Sequence, residues 1–388
     1  MNNSIGIVRF QMEEESNKTG RDYLNENIDR LKEISFLTRI TKLWGLNVDS
    51  EKKTSIYGIF IMIIVYILVI LSFLHAMHFA FLKYDTVYKA TLFVKVLGQI
   101  LLILNYHHFN RNKIEIRNIL AKLPDTYGRN VNYKSNKKPI LIRVIIVTFY
   151  GILLYLISLW FIFDSDRRLI FDRFNFNEYF YFNNKYSIVF AAIFDFCMIV
   201  FIEIPFVLFF LFYSTICRIL RNDMRAYKKL FVMSHSEIKN LFELYNKLCN
   251  IFNEFDAIYS NTVFWWMSII ILQGIFYGSV GIRMFIVNND YSWGLYFSAL
   301  IFFLIVNFVD MSYAAASIPL EASDITACLS QKMVSECPLT SRYATAMYLK
   351  NTWQPPQLTV GKTVSFNLSF IYSVFSTIIT YFVIVVQL

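Results

Sequence analysis

The chain has 388 residues, of which 56% are hydrophobic and 17% charged, with 39 phenylalanines and a net charge of +9. An ordinary soluble domain carries about 25% charged residues, and one core at this length could not bury so much apolar side chain. A soluble globular protein, a disordered chain and a secreted disulfide scaffold are therefore excluded; the five cysteines are an odd number, and scarce Gly (12) and Pro (7) argue against arrays of turns and strands.

A helix crossing a bilayer needs roughly 20 mostly apolar residues. Seven runs qualify: Ser55–Phe81, Tyr88–His108, Pro139–Phe163, Tyr186–Cys217, Thr262–Ile286, Trp293–Ala316 and Val364–Leu388. The leader Met1–Thr54 is polar and lacks the apolar stretch of a signal peptide. With the N-terminus inside, the leader, Asn110–Lys138, Arg218–Asn261 and Ser317–Thr363 hold nine, eight, seven and four basic residues. The outer segments hold Lys83, Arg167, Arg168, Arg173 and Lys185, with Lys89 at the border. Positive charge collects on the cytoplasmic side of membrane proteins, so the basic balance serves topology rather than nucleic acid. Cys249, Cys328 and Cys337 fall inside and none outside, as a reducing cytoplasm favours.

The expected fold is an all-α membrane protein of seven transmembrane helices, N-terminus cytoplasmic and C-terminus extracellular. Its segments are a cytoplasmic leader (1–54), a six-helix membrane bundle (55–316), a cytoplasmic helical extension within it (218–261), a cytoplasmic segment (317–363) and a seventh helix (364–388). This sidedness is the reverse of a G-protein-coupled receptor. Asp164-Ser-Asp-Arg-Arg168 lies outside, and no Asn-Pro-x-x-Tyr occurs in the seventh span.

Along the chain, His75 and His78 sit at i and i+3 of the first span. No carboxylate or Cys joins them, so neither a metal nor any other cofactor is expected. Lys95 and Asp195, in the second and fourth spans, lie at comparable depth and suit an ion pair. Glu203 and Asp310 lie deeper, and Arg283 is close enough to the outer surface to snorkel. The aromatic outer loop Asp164–Lys185 suits either a lid or an ordered surface loop. Before the fifth span, Leu241, Tyr245, Leu248, Phe252, Phe255 and Tyr259 form one apolar helix face, with Ser234 and Glu237 as a capping box. No Pro or Gly interrupts until Gly274, so one helix of about 50 residues, near 75 Å, must stand well clear of a bilayer core of about 30 Å. Its stripe needs a partner from its own chain or a neighbouring subunit.

The seventh span is apolar, yet Ser369, Ser373, Thr377, Thr380 and Gln387 share one face, with Ser376 beside them. Such a stripe faces protein or water, not lipid. Small hydroxyls serve as helix–helix glue or line an aqueous path. One such helix per chain would make a pore only in a ring of subunits.

The ending Thr380-Tyr-Phe-Val-Ile-Val-Val-Gln-Leu388 resembles the Thr-Tyr, five apolar residues, Gln-Phe ending of insect gustatory receptors, and Gly361-Lys-Thr-Val-Ser-Phe-Asn-Leu-Ser-Phe370 resembles the approach to it. The residue-level likeness covers about the last 30 residues; the general plan covers the chain. Leu388 stands where the family usually has Phe, and Phe382 stands where many sugar-receptor members have Glu after Thr-Tyr. The resemblance implies a ligand-gated, non-selective cation channel; with no Gly-rich phosphate loop, His-Glu-x-x-His or Cys-x-x-Cys, no enzyme is expected. Four subunits would meet through a cytoplasmic anchor that includes 317–363, around a pore lined by the last helix. An insect odorant receptor needing a co-receptor, or a seven-span metabotropic chemoreceptor, is the alternative. Carried over, Gln387 and Leu388 mark the outer constriction, with Ile384, Thr380, Thr377 and Ser373 below them; Thr380, Tyr381 and Gln387 are the motif residues. The resemblance also implies a pocket in the outer half of the first six spans. Candidates at that depth are Lys95, Tyr155, Trp160, Phe190, Phe194, Asp195, Gln273, Tyr277, Trp293 and Tyr296. The implied partners are a small-molecule tastant, permeating cations, membrane lipid and further copies of the chain or other gustatory receptors; nucleic acid is not among them.

Overall fold

Long apolar runs with few Gly or Pro leave the backbone one way to satisfy its amides in lipid, and the chain takes it. The computed structural model describes residues 38–39, 41–45, 56–81, 86–125, 138–163, 185–233, 238–286, 291–336 and 356–387. The helices are α1 (Ile56–Phe81), α2 (Thr86–Asp125), α3 (Lys138–Phe163), α4 (Lys185–Met198), α5 (Ile204–Met233), α6 (Ile238–Ile286), α7 (Tyr291–Glu336) and α8 (Leu368–Gln387). A π-helical turn, Ile199–Glu203, joins α4 to α5. Among the described residues six helices are long and apolar enough to cross a membrane, α4 and α5 counting as one; the apolar stretch of α8, Leu368–Ile384, is shorter. The protein is a multi-pass membrane protein. Ser234, Glu237, Leu388, most of the leader, the 164–184 loop and 337–355 lie outside the described residues.

The expected long helix is α6, 49 residues, and α2 and α7 also outrun a bilayer with 40 and 46. Their excess length packs into one aromatic core. The C-terminal halves of α2, α5 and α7 surround the N-terminal half of α6. Tyr245, Leu248, Phe252, Phe255 and Tyr259 are all buried there, so the α6 stripe is covered by its own chain. Tyr213 of α5 lies against Phe255, Tyr259 and Trp266 of α6, with ring centroids at 5.4, 5.7 and 5.8 Å. Tyr227 meets Tyr245 at 5.5 Å. Buried Trp266 donates its indole N–H to Asn105 Oδ1 of α2 at 3.1 Å, which satisfies a group that burial would otherwise penalise.

Charges in the bundle are paired along α5 and α7. Arg218 binds Asp310, which Arg143 of α3 also approaches at 3.4 Å; Arg225 binds Glu321, and Lys228 reaches Asp324 at 2.7 Å. Asp310 thus has two guanidinium partners, as an acid inside a membrane bundle requires.

Pro205 explains the π turn. Within it Ile204 N–H bonds the Ile199 carbonyl, one residue further back than in an α-helix. In that register Val200 would bond residue 205, a proline without an N–H. Its carbonyl is met instead by the indole N–H of Trp44 at 3.1 Å. Trp44 packs beside Leu208, Leu211, Val144 and Ile204.

The last helix begins at Leu368, not at Val364 as its apolar run suggests. Val364–Ser365 pairs antiparallel with Thr359–Val360 in a short hairpin, β1–β2. Its turn residues Gly361 and Lys362 both have positive φ, +63° and +59°, which primed hairpin turns require. Asn367 then caps α8, its Oδ1 accepting the Phe370 N–H at 2.8 Å.

Candidate functional site

Two sites emerge, a cavity among α2–α7 and the face of α8. The cavity has about 110 Å³ open to the centre of a water molecule. One water needs roughly 10–15 Å³ on that measure. It is therefore large enough for a small organic molecule.

Aromatic and aliphatic side chains form most of its wall. Tyr150 of α3 stacks on Phe303 of α7, centroids 3.4 Å apart, and Tyr277 of α6 and Tyr296 of α7 both lie beside Phe297. Polar groups converge on it from all the surrounding helices but α5: Thr91 and Lys95 from α2, Ser158 from α3, Asp195 from α4, Glu203 from the π turn, Gln273 from α6 and Asn307 from α7. An apolar cavity with a few convergent polar groups is the usual form of a small-molecule site. Asp195 is 7% exposed. It hydrogen-bonds Ser158, while its Oδ2 has no hydrogen-bond partner among the described residues. Lys95 lies within electrostatic range of both Asp195 and Glu203.

Of the candidates drawn from depth, Lys95, Asp195, Gln273, Tyr277 and Tyr296 meet at this cavity. Phe194 is buried in the main core instead. Tyr155 packs edge-on against Phe196 at 5.3 Å. Trp160 is 53% exposed on the outside of α3. The side chains of Phe190 and Trp293, and of His75 and His78, lie outside the described residues. Tyr150, Ser158, Thr91 and Asn307 line the cavity unforeseen; Glu203 stood out only as a deep charge. Its spacing from Asp195, two helical turns, was the available signal. Among the described residues no group of His, Cys, Asp or Glu has the makings of a metal site.

The second site follows from how α8 packs. Val374 is buried, and Phe370, Ile371, Phe375 and Ile378 pack towards the core. The opposite face carries Ser369, Tyr372, Ser373, Ser376, Thr380, Tyr381, Ile384 and Gln387, all exposed, with Thr377 half-buried beside them. Thr377 and Thr380 donate to the Ser373 and Ser376 carbonyls at 2.9 and 2.8 Å. Their hydroxyls are satisfied within α8 and bind no other helix of this chain among the described residues.

Behind α8 lies a space of about 200 Å³ bounded by Gly274, Gly278 and Gly281 of α6, by α7, and by Ile378, Ile379 and Phe382 of α8. Phe382 lies so close that a Cβ on Gly278 would sit 2.8 Å from its ring. At its start α8 is tied to α6 through the hairpin. Asp256 Oδ1 accepts the Thr359 N–H at 2.6 Å and Oδ2 the Thr359 hydroxyl at 2.7 Å. The Ser260 hydroxyl meets Thr359 Oγ1 at 2.7 Å and accepts the Lys362 N–H at 2.7 Å, while Gly361 N–H reaches the Ser260 carbonyl at 3.0 Å.

Residues 51–388 match the family described as 7tm Chemosensory receptor. No curated protein matches the chain. Among solved structures, the insect olfactory receptor OR5 from Machilis hrabei superposes with a TM-score of 0.65 at 14% identity, over 94% of this chain and 99% of that one. The same receptor in complex with eugenol superposes with a TM-score of 0.64 at the same identity and coverage. At that identity the likeness is one of fold.

Proposed function

Because the chain belongs to the 7tm chemosensory receptor family, we propose that it is a gustatory receptor, a tastant-gated non-selective cation channel assembled from four copies. The observation that carries this reading is the exposed polar face of α8. In a membrane protein such a face needs protein or water, and among the described residues no other helix of its bundle covers it. Four such helices around an axis would give each hydroxyl row a water-filled partner. The Thr380-Tyr381 to Gln387 ending favours the gustatory branch, and the lysine and arginine distribution supports a cytoplasmic N-terminus with Gln387 at the outer mouth. The ligand then sits in the α2–α7 cavity and acts by binding the open arrangement better, with the last helices splayed apart.

The test is patch-clamp recording from cells expressing this chain alone, exposed to a tastant panel. Ligand-evoked cation current is the expected result, and Gln387→Ala changes its conductance or ion permeability ratio at equal surface level. Current that appears only with a second receptor subunit would overturn the homomeric assembly in favour of the olfactory type. Saturable uptake without current would overturn the channel.

Gln273→Leu removes the cavity's amide while keeping its bulk. The loss of one hydrogen bond, about 1 kcal/mol, raises the half-maximal ligand concentration about five- to tenfold with surface expression unchanged. An unaltered dose–response would remove Gln273 from the ligand contacts.

A further inference from the structure

We propose that the α2–α7 cavity takes a small aromatic ammonium ion, with Glu203 and Asp195 as its counter-charges. This rests on the reading of the cavity as the ligand site and is independent of the channel. The charged side chains on its wall are Lys95, Asp195 and Glu203, two acids against one base. Arg143 of α3 and Arg218 of α5 are not among its lining and pair with Asp310. Whichever acid Lys95 serves, the other faces the cavity without a cation among the lining side chains. Ionisable groups within a membrane bundle are costly, and an unmatched acid there marks a ligand counter-ion or an ion path. Asp195 has one carboxylate oxygen hydrogen-bonded by Ser158 and the other unpartnered at 7% exposure. An N–H donor from a ligand would complete it.

The walls point to the same ligand. Tyr150, Tyr277 and Tyr296 flank the acids, with Phe297 and Phe303 behind them. Ring faces attract organic cations. The volume admits one aromatic ring with a short side chain. A neutral alcohol of the same shape would fill the space without supplying a counter-charge to the acids.

The test uses the purified full-length chain in lipid nanodiscs and calorimetric titration with phenethylamine and with its neutral analogue 2-phenylethanol, at neutral pH. The amine is expected to bind at least tenfold more tightly. Glu203→Gln is expected to cut that preference about tenfold and leave the alcohol's affinity within twofold; Asp195→Asn is the second variant should the first not fold. The wild-type comparison alone suffices to overturn the proposal: equal or tighter binding of the alcohol, or saturable binding of neither compound up to millimolar concentration, would do so. The two readings separate cleanly. Amine-selective binding without current under patch-clamp would sink the channel and leave this inference standing, whereas current evoked by neutral ligands with no amine preference would do the reverse.

Discussion

Asp256→Ala is expected to abolish ligand-evoked current while the protein still reaches the cell surface. The hairpin is the attachment of α8, and Asp256 takes both the backbone N–H and the hydroxyl of Thr359. Hydrogen bonds to a charged group are worth about 1.5–3 kcal/mol each. Losing two exceeds the coupling of about 1–3 kcal/mol that typically links one site to another. Ser260 loses its geometry as well, because its hydroxyl bridges Thr359 and the Lys362 N–H. Asp256→Asn keeps one acceptor oxygen and should fall between the two. The check is whole-cell current normalised to surface-labelled receptor. Normal gating in Asp256→Ala would show that the hairpin does not hold α8 in register.

Gly278→Val is expected to reduce ligand-evoked current at least about fivefold. If the last helices open by splaying, α8 must move back onto the glycine face of α6, into the space behind it. A β-branched side chain at 278 fills that space and collides with Phe382, whose ring already lies 2.8 Å from where a Cβ would stand. Overpacking of this kind costs about 1–3 kcal/mol, a factor of about five to a hundred or more in an equilibrium. Phe382→Leu in the same chain relieves the collision and should restore part of the current, a coupling that a double-mutant cycle measures. Additive losses in the cycle would place Gly278 and Phe382 on independent paths.

The elements differ in how far they could be read from residues alone. The α6 stripe from Tyr245 to Tyr259 announces its helix because a period of 3.6 persists whatever packs on it. The α8 stripe is legible for the same reason. The spans α1 and α3 are apolar almost all round, so nothing in them tells which side faces inward. Depth alone puts Trp160 in the cavity, yet it is exposed and outside the lining; Tyr150, on the same helix, stacks on Phe303 at the cavity wall. The hairpin has a local signal, β-branched residues around Gly361-Lys362. Strands of two residues have little stability of their own, however. What holds them is Asp256, 103 positions earlier, and no local pattern joins those residues. The π turn needs both Pro205 and Trp44, again far apart in the chain.

The unbroken run of α6 makes it a lever. Asp256 and Ser260 pin one stretch of the rod to the hairpin, and Gln273 and Tyr277 put the ligand cavity against another. Gly274, Gly278 and Gly281 face α8 from the adjacent side, about a quarter turn round the axis. From Asp256 to Gly278 the arm is about 33 Å at 1.5 Å per residue. A tilt of about three degrees about the hairpin therefore carries Gly278 through about 1.7 Å, roughly half the width of a methyl group. A ligand that draws Gln273 inward by a fraction of its own diameter would thus produce a stroke of that size where α6 meets Phe382 of α8.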